Sequence, residues 1–233
     1  MRKLLNKFPD TITEGIGESY RNDVKELVEI YENIKPFIET RIEDFRNVYK
    51  NGDDKRLFAE LAFCLLTPQS NARYCWETIC DMYDNETLFY GDREIITNAL
   101  NRVRFKIKKG KYIISARESF FSGNKRLKDR LEEFDDVFLA REWLVEDIKG
   151  FGYKEASHFL RNIGKGNKVA ILDRHILRNL EKYGVIKEIP GNLSKTKYYE
   201  IETKFARFSE EIAIPLEHMD LLFWYIAKGE IFK

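Results

Sequence analysis

Apolar residues recur at helical spacing through most of this chain. Val24, Leu27, Val28 and Tyr31 fall on one stripe and Leu57, Phe58, Leu61, Ala62 and Leu65 on another, the i, i+3, i+4, i+7 recurrence that marks one face of a helix. The pattern predicts helices over residues 23–50, 53–67, 70–83, 92–103, 107–121, 136–148, 154–163, 174–183, 194–208 and 216–227. Pro36 forces a break or a new first turn within the first of these. The second ends near Thr67-Pro68, because the residue before a proline disfavours helical angles. Gly184 closes the helix that follows Asp173, and Ile186 to Asn192 reads as a loop around Pro190-Gly191. No run alternates apolar and polar residues in the manner of a strand, so the expected fold is all-α. The opening residues carry Pro9, Gly15 and Gly17 without a strong period. They read as an irregular strap, an N-terminal extension over 1–22 with no assigned role, ahead of one helical domain over 23–233. There is no internal repeat and no low-complexity segment.

With 233 residues, 43% hydrophobic and 34% charged, the chain can bury a substantial core in one large domain or two small lobes. No apolar run reaches the length of a membrane span, and Met1 to Lys7 lacks the apolar stretch of a signal peptide. The expected location is the cytoplasm. Cys64, Cys75 and Cys80 are odd in number and lie in helical patterns, which suits reduced, packed thiols. The net charge of +1 conceals an asymmetry: residues 101–130 hold eleven Lys and Arg against Glu118 and Asp129, an excess of nine, leaving eight net negative charges elsewhere. A phosphate-facing surface has this character, although a solvated helix face does too.

The sharpest chemical signal lies in Ile148-Lys149-Gly150-Phe151-Gly152-Tyr153-Lys154, with Leu172-Asp173-Arg174-His175-Ile176 following nineteen residues after Lys154. Leu139, Trp143, Leu144 and Ile148 keep helical spacing before the glycines, and Ala156, Phe159, Leu160 and Ile163 keep it after them. The segment 139–163 is therefore helix, tight turn, helix. Gly150 and Gly152, flanking Phe151, permit a turn closed to other residues and a close approach to a ligand. The second helix then offers free N–H groups and a positive dipole end to a phosphate.

Lys154, on the first turn, is the residue type that forms a Schiff base with a sugar C1′. It must first lose its proton, which partial burial and the helix N-terminus both favour. Its plain alternative is an exposed lysine. Asp173 precedes the apolar-periodic Ile176, Leu177 and Leu180, the position of an N-cap. Capping N–H groups keep such a carboxylate ionised, and an ionised carboxylate near C1′ stabilises an oxocarbenium-like transition state. His175 reads as a packed or phosphate-contacting residue, and neither His158 nor His218 has a ligand-type helical partner, so no metal is expected.

Chemistry on a base within a duplex requires extruding it and filling the gap. Leu66-Thr67-Pro68-Gln69-Ser70-Asn71-Ala72 lies at a helix-to-helix junction, and Gln69 is the candidate for insertion, with a turn residue as the equally simple alternative.

The hairpin with its downstream aspartate resembles the helix-hairpin-helix-GPD DNA glycosylase superfamily. Phe63 to Thr67, Val103-Arg104-Phe105 with Lys111-Tyr112-Ile113, Lys154 to Asn162 and Ala170 to Leu177 are similar to the archaeal-type 8-oxoguanine DNA glycosylase/lyase family, the second Ogg family, over roughly 40–233. The resemblance implies a two-lobed helical fold. It implies a bifunctional repair enzyme that excises 8-oxoguanine from double-stranded DNA and cleaves the strand 3′ to the lesion by β-elimination through a Schiff base. Lys154 then falls on the nucleophile and Asp173 on the catalytic acidic residue. Gly150, Phe151, Gly152, Gln69, Arg174 and His175 fall on the DNA-binding positions. Family members end in a lysine, with a tryptophan nine residues earlier that stacks on the base, and here Lys233 ends the chain with Trp224 nine residues before it. A terminal carboxylate could accept a hydrogen bond from the N7–H that 8-oxoguanine has and guanine lacks. Phe105 is a further base-pocket candidate. The four-cysteine iron–sulfur motif of endonuclease III-type relatives has no counterpart, since no cysteine follows Cys80. No cofactor and a monomer are expected. Two alternatives keep the fold: a glycosylase/lyase for another oxidised base, and a noncatalytic hairpin module that binds DNA.

Overall fold

The computed structural model describes residues 18–121 and 126–233, with side chains from Asn22 onward. The expected irregular strap and most of the extension 1–22 lie outside the described residues. Among the described residues there are helices and no strands, and the chain divides into two compact units. One comprises the chain up to Arg41 together with Leu172–Lys233, and the other is Ile42–Ile171.

Helix α1 (Glu18–Asn51) contributes to both units and runs unbroken through Pro36. That corrects the break expected there. A proline inside a helix costs about 3 kcal/mol, but Tyr31, Ile34, Ile38, Ile42 and Phe45, on both sides of it, are all buried. Each such side chain contributes about 1.5–3 kcal/mol, so continuity of the stripe outweighs one lost hydrogen bond.

In the second unit, α2 (Asp54–Leu66) is capped by Asp53, whose Oδ1 accepts from the Arg56 N–H at 2.9 Å. Every residue from Leu57 to Leu66 is buried, so the helix is a central strut rather than a surface element. Its one buried charge, Glu60, is satisfied by the Arg56 guanidinium at 2.9 Å and by Asn162 Nδ2, which donates at 3.1 Å. Then follow α3 (Ala72–Asp84), α4 (Thr87–Tyr90), α5 (Arg93–Ala99), α6 (Lys106–Phe121), α7 (Leu127–Glu132), α8 (Val137–Asp147) and α9 (Tyr153–Asn162). The sequence pattern did not indicate α4 and α7. It also carried the helix from residue 92 on to 103, whereas α5 ends at Ala99. Cys64 and Cys75 are buried, and Cys80 is partly so.

The first unit gathers α10 (Arg174–Lys182), α11 (Lys195–Glu211) and α12 (Leu216–Lys228) with the first part of α1. Stacked rings fill its core: Tyr183 meets Phe208 at 6.0 Å and Phe223 at 5.8 Å, and Phe205 meets Phe223 at 6.1 Å between centroids. His218 Nδ1 and Tyr31 Oη lie 3.0 Å apart, which absorbs that histidine into the core. No helix among the described residues is long and apolar enough to cross a membrane.

Candidate active site

The hairpin consists of α8, the turn Ile148–Gly152 and α9. Ile148 and Phe151 are buried, and the Phe151 N–H donates to the Ile148 carbonyl at 3.0 Å. The two helices are fastened by Arg141, fully buried, which donates to Ser157 Oγ at 3.1 Å, and by Tyr153 Oη, which donates to Glu142 at 2.8 Å. Gly150 sits at φ +97, and a Cβ there would lie 2.3 Å from the Tyr112 ring of α6. Glycine is thus required twice over, by backbone angle and by close approach. Gly150→Ala is expected to cost about 1–3 kcal/mol in backbone strain, with further displacement of the ring, and to weaken duplex binding. Denaturant titration and anisotropy against a labelled duplex check this, and parent values in both would refute it.

The last amide of the turn, at the N-cap of the second helix, is already taken. Glu155 turns back so that its Oε2 accepts from the Gly152 N–H at 3.1 Å, while its Oε1 lies 3.9 Å from Lys154 Nζ. Its short reach from the third helical position makes this a natural N-terminal cap. One carboxylate therefore ties the turn to the lysine. The Lys154 side chain is only 20% exposed, and its Nζ approaches Thr67 Oγ1 at 3.4 Å. The structure thus brings Lys154 to the 66–72 loop that carries Gln69.

Gln69 is exposed and holds φ +55, and Phe105 is 54% exposed at φ +59. Left-handed angles are uncommon for residues with a Cβ and persist only where surroundings enforce them. Ser70 Oγ joins the two segments by accepting from the Arg104 N–H at 3.1 Å.

The basic block divides into two populations. Arg102 pairs with Glu77 at 3.0 Å and lies over the Tyr74 ring. Arg117 donates to the Gly91 carbonyl at 2.7 Å, Lys128 donates to the Gly52 carbonyl, and Arg130 pairs with Glu133. These cations already have partners within the chain, so the phosphate-facing candidates reduce to other exposed residues such as Arg104, Lys106, Lys108 and Lys111. Lys109 is buried, at 5% exposure. Sequence reading counted it only as a charge, yet it lies in line with the buried Ile113, Ala116 and Phe120 of α6. A lysine in register with an apolar stripe was the available signal.

The other candidates belong to the first unit. Asp173 caps α10, its Oδ1 accepting from the Ile176 N–H at 2.8 Å, and Tyr198 Oη accepts from the Leu172 N–H at 3.3 Å just before it. His175 Nε2 lies 2.8 Å from the Phe223 carbonyl. A carbonyl only accepts, so Nε2 carries the proton, and His175 is a brace between α10 and α12. Arg174 is exposed. Trp224, the next residue after Phe223, is half-buried, meets the Phe232 ring at 6.3 Å and has its indole N–H buried without a hydrogen-bond partner. Lys233 is partly buried beside Phe232. No cluster of His, Cys, Asp and Glu able to hold a metal ion occurs among the described residues.

A helix-hairpin-helix turn with a lysine on its second helix, in an all-α chain with a capped aspartate downstream, defines the framework of a helix-hairpin-helix DNA glycosylase. Residues 38–214 match the profile of a family described as 8-oxoguanine DNA glycosylase. A Fusobacterium nucleatum protein named 8-oxoguanine DNA glycosylase/AP lyase is 44% identical over 209 residues, covering 89% of this chain and 96% of its own. The crystal structure of the 8-oxoguanine DNA glycosylase of Methanocaldococcus jannaschii has a TM-score of 0.83 at 38% identity, covering 93% of this chain and 98% of that one. The M. jannaschii 8-oxoguanine glycosylase/lyase in complex with a 15mer DNA containing 8-oxoguanine gives 0.82 at 39% identity, with coverage of 90% and 99%. The chain belongs to the 8-oxoguanine DNA glycosylase family.

Proposed function

We propose that this chain excises 8-oxoguanine from duplex DNA and then cleaves the strand 3′ to the lesion by β-elimination through a Schiff base on Lys154. The observation that carries the reading is the placement of Lys154. Its amine stands at the start of α9 beside the turn, mostly withdrawn from solvent and 3.4 Å from Thr67 Oγ1. Kinship with proteins named glycosylase/AP lyase at 44% and 39% identity supports it.

In this mechanism the Lys154 amine attacks C1′ as the bond from C1′ to the base breaks, and the electron pair and a proton leave with the base. The sugar ring opens to an iminium, C2′ gives up a proton, and the 3′ phosphate departs. Hydrolysis then frees the lysine. Asp173 is assigned the stabilisation of positive charge on the sugar. Gln69 is assigned to the vacated space in the stack, Trp224, Lys233 and Phe105 to the extruded base, and Gly150, Phe151, Gly152, Arg174 and His175 to the DNA backbone.

Single-turnover assays on duplexes containing either 8-oxoguanine or thymine glycol test the reading. The 8-oxoguanine strand is expected to end in a 3′ unsaturated aldehyde, the β-elimination product, with little cleavage at thymine glycol. Cleavage confined to thymine glycol would reassign the base. Tight binding without cleavage of either would leave a noncatalytic hairpin module.

A further inference from the structure

A single buried ammonium holds the loop between α2 and α3. Lys109 Nζ donates to the Leu66 carbonyl at 2.7 Å, to the Pro68 carbonyl at 2.7 Å and to Ser70 Oγ at 2.9 Å. An ammonium has three protons, so each has a partner. The clamped residues alternate along the loop. The two left between them are Thr67, whose hydroxyl approaches Lys154 Nζ at 3.4 Å, and Gln69, which is exposed at φ +55. Ser70 Oγ also accepts from the Arg104 N–H at 3.1 Å, which extends the hold to the segment bearing Phe105 at φ +59.

We propose that Lys109 is a positioning residue of the excision reaction: it fixes the 66–70 loop so that Gln69 enters the base stack.

Three features favour this over a merely structural lysine. A buried ammonium is costly, and burial pushes the Lys109 amine down from the ordinary lysine range. Packing alone would be met by an apolar side chain at this stripe position. Two of the three acceptors, the Pro68 carbonyl and Ser70 Oγ, lie in the loop, and the third is the carbonyl of Leu66, the last residue of α2, where the loop begins, so Lys109 acts on this one segment rather than on the core at large. Gln69 also holds a left-handed conformation that needs outside enforcement, and the flanking carbonyl of Pro68 and hydroxyl of Ser70 are where Lys109 supplies it.

The proposal rests on the assigned glycosylase function, and its test separates the two. Lys109→Met keeps an unbranched chain of similar length without donors. Single-turnover excision is measured on 8-oxoguanine opposite cytosine and on 8-oxoguanine opposite a tetrahydrofuran abasic analogue, where no partner base resists extrusion. The paired-substrate rate is expected to fall about 10²-fold, the scale of a misplacement near 1 Å, while the unpaired substrate keeps most of the parent rate. Ser70→Ala, which removes one acceptor and leaves the ammonium in place, should shift the same ratio in the same direction and serves if Lys109→Met does not fold. A parent inactive on both duplexes would overturn the assigned function. An active parent with variants that lose equally on both substrates, or on neither, would overturn the positioning role.

Discussion

Lys154→Gln is expected to abolish strand cleavage, lowering its rate by about 10³-fold or more, the scale on which enzymes lose activity when a covalent nucleophile is removed. Glutamine nearly matches the reach of lysine and keeps a donor for Thr67 Oγ1, now 3.4 Å from the amine, but its amide nitrogen cannot form an imine. The position lies on the first turn of α9, outside the apolar stripe of Ala156, Phe159, Leu160 and Ile163. Stability should therefore change by no more than about 1 kcal/mol. Denaturing gels of a labelled 8-oxoguanine duplex, read beside thermal unfolding, separate chemistry from folding. A variant that cleaves within tenfold of the parent while folding normally would remove Lys154 from the reaction.

Asp173 has two roles that one substitution can part. As the cap of α10, its Oδ1 accepts from the Ile176 N–H at 2.8 Å, and asparagine caps as well as aspartate. As an electrostatic stabiliser it needs the negative charge, which asparagine lacks. Asp173→Asn is accordingly expected to leave the unfolding midpoint almost unchanged and to slow base excision by about 10²–10³-fold, the usual loss for a preorganised electrostatic group. Asp173→Ala removes both and should add about 1 kcal/mol of destabilisation. Parent-like excision by the asparagine variant would reduce Asp173 to a cap.

Much of this fold was legible in the sequence, for a physical reason. Where an amphipathic helix runs well beyond two turns, as in those holding Leu57 to Leu65 and Ala156 to Leu160, the stripe that buries it repeats often enough to be seen. Helices α4 and α7, at Thr87–Tyr90 and Leu127–Glu132, are too short to carry a period. Pro36 misled because the local rule is real but small against the buried stripe it interrupts. The site was legible where chemistry and backbone geometry demand a particular residue: Gly150 for its angle, Asp173 for its cap. It was illegible where one residue type serves opposite ends. Lys109 and Lys108 are the same letter in the same basic run, yet one is buried in a clamp and the other is exposed. Glu155, likewise, is one acidic residue among many in the sequence, yet it joins the hairpin turn to Lys154.

The Schiff base on Lys154 is tested most directly by sodium borohydride trapping on a labelled duplex holding one 8-oxoguanine, with an undamaged duplex and the Lys154→Gln variant alongside. A covalent complex with the parent on the lesion alone, mapped to Lys154 by peptide mass and absent from the variant, is the predicted result. A lesion strand cleaved by the parent with nothing trapped, or a trapped complex that survives in Lys154→Gln, would contradict it.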